Sequence, residues 1–109
     1  MASLDVHIVT PEREVWTGAA QMVVAHGVEG DVGILAGHAP LLIRLAVGPL
    51  RIQREDERWE QAVVDGGFMH VTTGEEGTRV DVLASQAAMV GDVDLAAELE
   101  RAQARVDAD

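Results

Sequence analysis

Four histidines, His7, His26, His38 and His70, and nineteen acidic residues are the groups in this 109-residue chain best suited to chemistry. Imidazoles combined with carboxylates are the ligands of zinc and iron sites. Here the four histidines lie on four separate segments, and no two stand at the i, i+4 spacing that puts both on one helix face. A metal-dependent small β-sandwich enzyme or binding protein is therefore an alternative reading that rests on histidine count, and no residue is assigned as a metal ligand. Paired acids recur at Glu12 and Glu14, Asp56 and Glu57, and Glu75 and Glu76. Such pairs act as general acid and base only when a cleft holds them at a set separation. These lie in turn-like stretches beside arginines, which fits a solvated surface.

The residue types that are missing exclude whole classes of chemistry. With no cysteine there is no disulfide, thiolate nucleophile or cysteine zinc site. With no lysine there is no Schiff base, P-loop lysine or carrier for biotin and lipoyl groups. The only serines, Ser3 and Ser85, stand in no Gly-x-Ser-x-Gly elbow. The inventory of nucleophiles and bases is poor, and no cofactor is expected. Eight arginines against nineteen acids give a net charge of −11, the wrong sign for tracking nucleic acid phosphates or docking on an anionic lipid surface. The expected partner is another protein or a cation.

The most unusual stretch runs from Gly27 to Leu42, with four glycines between Gly27 and Gly37 and then His38-Ala39-Pro40. Glycine suits backbone with positive φ, and Pro40 fixes the chain ahead of the next strand. The stretch reads as a compact double turn, a rigid loop that presents Glu29, Asp31 and His38 to a partner. A phosphate cradle fits poorly, because two acids lie inside it and no helix follows.

The elements that must position this loop are short strands. Leu4, Val6 and Ile8 alternate with Asp5 and His7, the period of a half-buried strand. Further extended stretches are read at Val15–Val24, Leu41–Val47, Leu50–Arg54, Trp59–Val64, Phe68–Thr72 and Arg79–Leu83. Gly48-Pro49 and Gly74-Glu75-Glu76-Gly77 are read as turns, Arg54–Arg58 as a charged hairpin tip and Gly66-Gly67 as a kink. Strands at this spacing indicate an antiparallel sandwich or barrel. After Gly91 the period changes: Leu95, Leu99, Ala102 and Val106 form one stripe of a helix of about 15 residues, marginal on its own. Residues 1–89 are thus expected to form the β domain and 90–109 a short helical segment. Arg44 and Pro49 interrupt the longest apolar run, so no stretch reaches the roughly 20 residues of a spanning helix. Asp5 stands where an export signal would carry positive charge, so export is not expected.

The run Gly30-Asp31-Val32-Gly33-Ile34-Leu35, followed by Gly37-His38-Ala39-Pro40-Leu41-Leu42, resembles the epsilon subunits of bacterial F-type ATP synthases. Val6 to Gly18, Gly48 to Ile52, Val64 to Phe68 and Val80 to Ala84 are similar to other stretches of that family in the same order, over residues 4 to 89. The resemblance implies a ten-stranded antiparallel β-sandwich followed by one short C-terminal helix. It implies a non-catalytic central-stalk rotor subunit that links gamma to the c ring and couples proton flow to ATP synthesis. Its partners would be gamma and the c ring, with the beta subunit as a further contact. Its place would be the cytoplasmic face of the bacterial cell membrane, peripheral through the complex. By the same resemblance Glu29, Gly30 and Asp31 face the c ring, while His38, Ala39, Pro40, Leu41 and Leu42 lie at the gamma and c-ring interface. The Leu95, Leu99, Ala102 and Val106 stripe would pack on the sandwich or on gamma.

Two departures from the family pattern stand out. Ala36 occupies a position where proline is common, and the chain ends at Asp109, where relatives continue into a second helix. Val93-Asp94-Leu95-Ala96-Ala97-Glu98 keeps the acid of the family's ATP-binding motif and lacks its arginine. Weak or absent ATP binding and little inhibition of hydrolysis are expected.

Overall fold

A computed structural model describes residues 3–90, which form eight β-strands. These are β1 (Leu4–Val9), β2 (Glu14–Gly27), β3 (Gly30–Leu35), β4 (Leu41–Arg54), β5 (Trp59–Val64), β6 (Phe68–Gly74), β7 (Gly77–Leu83) and β8 (Ala87–Met89). Alternation decides which face is buried: Leu4, Val6 and Ile8 point into the core, while Asp5 between them is exposed. Pro11 follows β1 in a tight turn closed by the Thr10 amide donating to the Arg13 carbonyl at 2.9 Å.

Two 14-residue strands organise the rest. The first half of β2 pairs with β1, and its second half lies between β3 and β4. The first half of β4 pairs with β6, and its second half lies between β2 and β5. Hydrogen bonding therefore runs continuously through two layers. One contains β2, β1, β7, β6 and β4 in that order; the other contains β3, β2, β4, β5 and β8. Leu4, Val6, Ile8, Met69, Val71, Val80 and Val82 of the first layer meet Val23, Ile34, Leu50, Ile52, Ala62 and Val64 of the second in one core. Each of the larger side chains stabilises the fold by about 1.5–3 kcal/mol when fully withdrawn from water.

Several expectations are corrected. The described residues form eight continuous strands rather than ten, because β2 and β4 cross between layers without a break. One strand pair, β1 with β7, is parallel, so the sandwich is not wholly antiparallel. Gly48-Pro49 lies within β4, where the pair faces Val64 and Val63 of β5. On the other side the β2–β4 ladder skips from Leu50 to Leu45, and Pro49 stands in that irregular stretch, where its missing N–H breaks no ladder bond to β2. Gly30–Leu35 is a strand rather than part of a double turn. The expected C-terminal helix, with Leu95, Leu99, Ala102 and Val106, and the segment 90–109 lie outside the described residues except for Val90.

Candidate docking surfaces

The Glu29-Gly30-Asp31 group stands at the tip of the β2–β3 hairpin. Gly27 pairs with Gly30, which leaves Val28 and Glu29 as a two-residue turn. The Val28 amide donates to the Arg44 carbonyl at 3.1 Å, tying the tip to β4. Val28, Glu29, Gly30 and Asp31 are all exposed, and His26 Nδ1 lies 2.7 Å from Asp31 Oδ1. An open cleft of about 400 Å³ runs along the tip, lined by the hairpin and by Leu42, Ile43 and Arg44. The structure thus brings Glu29 and Asp31 to the same cleft as Leu42.

His38, Ala39 and Pro40 occupy the connection from β3 to β4, away from the lining of that cleft. The His38 amide donates to the Leu35 carbonyl at 3.1 Å, and His38 Nδ1 lies 2.7 Å from the Ala39 carbonyl oxygen. The Gly37 amide donates to Thr78 Oγ1 at 2.7 Å, and the Thr73 hydroxyl donates to the His38 carbonyl at 2.6 Å. Leu41 packs partly against the core, whereas Leu42 is 64% exposed.

Strand register sets Leu42 diagonally across from an exposed apolar pair, with His70 and Arg44 beside it on the same face. Leu42 pairs with His70, and Arg44 pairs with Phe68, which in turn faces Leu83. Leu83 lies opposite Val9 of β1. Phe68 is 45% exposed and Leu83 53%, so the outer face of the first layer carries large apolar side chains in the phase that solvent-facing residues occupy elsewhere. Phe68 and Leu83 escaped the sequence reading. Their signal was phase: Leu83 is offset from inward Val80 and Val82, and Phe68 shares a face with His70 and Thr72. On the opposite layer, Leu35 and Trp59 are also exposed.

Charged groups beside the patch pair locally. Arg79 Nε–H reaches both carboxylate oxygens of Asp81 at 3.1 and 3.0 Å, and this bonding together with the negative charge of Asp81 raises the guanidinium above its ordinary range. His7 lies 3.0 Å from Asp5 Oδ1 and 3.8 Å from Glu14 Oε1. Among the described residues no three His, Cys, Asp or Glu side chains are grouped as a metal site. His7, His26, His38 and His70 remain on separate segments, with His26 set against Asp31.

Known proteins share this architecture. The family described as the ATP synthase delta/epsilon chain β-sandwich domain matches residues 3–90. The ATP synthase epsilon chain of Brevibacillus brevis is 40% identical over 109 residues, an overlap of 97% of this chain and 80% of that relative. The epsilon chain of Thermobifida fusca is 45% identical over 103 residues, covering 93% of this chain and 70% of the relative. A chain in the Euglena gracilis mitochondrial ATP synthase, solved as an assembly of OSCP, F1 and c-ring, superposes with a TM-score of 0.76 at 29% identity. That overlap takes in 95% of this chain and 66% of the Euglena chain. With residues 3–90 matched by this family's β-sandwich domain and 40% and 45% identity to two epsilon chains over most of its length, the chain belongs to the ATP synthase delta/epsilon chain family.

Proposed function

We propose that this chain is a non-catalytic central-stalk subunit of a proton-translocating F-type ATP synthase, joining the gamma subunit to the c ring. The observation that carries the proposal is the pairing of two unlike surfaces around Leu42. One is the apolar patch of Leu42, Phe68 and Leu83; the other is the acidic hairpin tip of Glu29 and Asp31. A rotor element that transmits torque needs one face that excludes water against a permanent partner and one that holds register on a polar surface. Apolar cores supply the first, and charge complementarity supplies the second. On this reading gamma covers the apolar patch and the adjoining His38–Leu42 segment, and the basic polar loops of c subunits meet Glu29-Gly30-Asp31.

The subunit would then sit at the cytoplasmic face of the bacterial membrane, held there by the complex and without inserting into lipid. Residues 3–90 would act as the docking unit, and 91–109, carrying the Leu95, Leu99, Ala102 and Val106 stripe, would supply little ATP binding or inhibition of hydrolysis. The metal-dependent alternative has no grouped ligands among the described residues to support it.

Because the chain has no cysteine, single replacements make clean cross-linking probes. Glu29→Cys is expected to cross-link to the c subunit's polar loop, and Leu83→Cys to gamma, in the assembled enzyme. Cross-linking of neither position, with the complex intact, would remove this assignment.

A further inference from the structure

The β6–β7 hairpin places threonine at two positions in the inward phase of its strands, Thr78 buried and Thr73 at the exposed end. Thr73 continues the inward phase of Met69 and Val71, and Thr78 that of Val80 and Val82. The two are direct cross-strand partners with hydroxyls 3.0 Å apart. Thr78 is only 4% exposed, and it pairs with Leu4 of β1 at the end of the core. Here the sandwich opens and the β3–β4 connection lies across it.

Donors and acceptors along this end can be ordered. The Gly37 N–H can only donate, and it points at Thr78 Oγ1 at 2.7 Å. The His38 carbonyl can only accept, and Thr73 Oγ1–H points at it at 2.6 Å. The Thr73 proton is therefore committed to His38, so the bond between the hydroxyls must run from Thr78 to Thr73. One directed chain results: Gly37 N–H to Thr78 Oγ1–H to Thr73 Oγ1–H to the His38 carbonyl oxygen. Hydrogen bonds in series polarise one another, and a nearly buried hydroxyl without partners is costly, so the chain holds as a unit.

We infer that Thr73 and Thr78 are positioning residues for docking: their relay fixes the Gly37–Pro40 connection, and with it the point from which Leu41 and Leu42 enter β4. The inference rests on the reading of the Leu42 region as the gamma-facing surface. A connection fixed before contact spares the ordering cost that a loose one would incur on binding. The β6–β7 hairpin thus serves gamma docking through the connection it holds.

The test uses the 109-residue chain and purified gamma. Amide hydrogen exchange at Gly37 and gamma affinity are measured for wild type, Thr78→Val, Thr78→Ser and Thr73→Val. Valine keeps the shape of threonine and removes the hydroxyl. Both valine variants are expected to speed Gly37 exchange and to weaken gamma binding by about fivefold to tenfold, mainly through faster dissociation. Thr78→Ser is expected to restore both. Thr73→Val keeps the test open if Thr78→Val does not fold, because Thr73 is exposed. Faster Gly37 exchange with unchanged affinity would overturn the inference alone, as would unchanged exchange. Failure of the wild-type chain to bind gamma would instead strike the underlying docking assignment, and the inference with it.

Discussion

His26 Nδ1 stands 2.7 Å from Asp31 Oδ1 across the β2–β3 hairpin. The two residues are cross-strand partners, and the imidazole lies against the α-carbon of Gly48 in β4, where an added Cβ would come within 3.1 Å of His26 Cδ2. One acid of the hairpin tip is thereby held from the side by a ring that sits close over a glycine, and that an added Cβ would push aside by a few tenths of an ångström. Gly48→Ala is expected to displace the ring and loosen the Asp31 contact. His26→Ala should change stability by no more than about 0.5 kcal/mol, since the pair is exposed. Denaturant unfolding of the two variants measures both effects.

Asp31→Arg reverses charge at the tip without touching the core. It is expected to weaken docking on a reconstituted c ring while leaving the melting temperature within a few degrees of wild type. Binding that does not change on this reversal would show that the tip makes no electrostatic contact there.

The apolar patch makes a sharper demand. Phe68→Glu places a charge where gamma is expected to exclude water, and should cost roughly 2 kcal/mol of binding, about thirtyfold in affinity. The same variant should fold normally, because Phe68 is already half in solvent. Calorimetric titration against gamma, with a thermal melt as control, measures the two together.

Gly67 separates fold from function. Its φ is +105°, and a Cβ there would run into the Leu83 carbonyl oxygen and stand 2.8 Å from Ala84 Cα. Backbone cannot yield as a flexible side chain does, so Gly67→Ala should destabilise by about 3 kcal/mol or more, or fail to fold. Equilibrium unfolding by urea would measure the loss.

Arg79 yields a prediction about pH. Its pairing with Asp81 raises the guanidinium's folded-state pKa, so the contribution is present below the unfolded value and is lost only as pH rises through the raised one. Both lie far above neutrality. Thermal melts at about pH 7 and about pH 9 should therefore show the same difference between wild type and Arg79→Gln.

Strand phase made much of the fold legible in advance. Leu4, Val6 and Ile8, and Val80 and Val82, announce their inward faces by simple alternation. Gly48-Pro49 misled because local turn chemistry was outweighed by pairing with β5, and an irregular ladder on the other side accommodated the proline. The Gly30–Leu35 strand was hidden by its glycines, which weaken the alternation signal that partners on β2 then supply. At the candidate site, Glu29, Asp31 and Leu42 were singled out from the chain as candidates and Phe68 and Leu83 were not. No short motif contains those two; their meaning comes from register between β6 and β7, a long-range property that spacing along the chain does not carry.

The most direct test of the central claim is co-purification of the full chain with its cognate gamma subunit, followed by size-exclusion chromatography. A stable one-to-one complex that Phe68→Glu disrupts is the expected result. Two folded proteins that elute separately would contradict the rotor assignment.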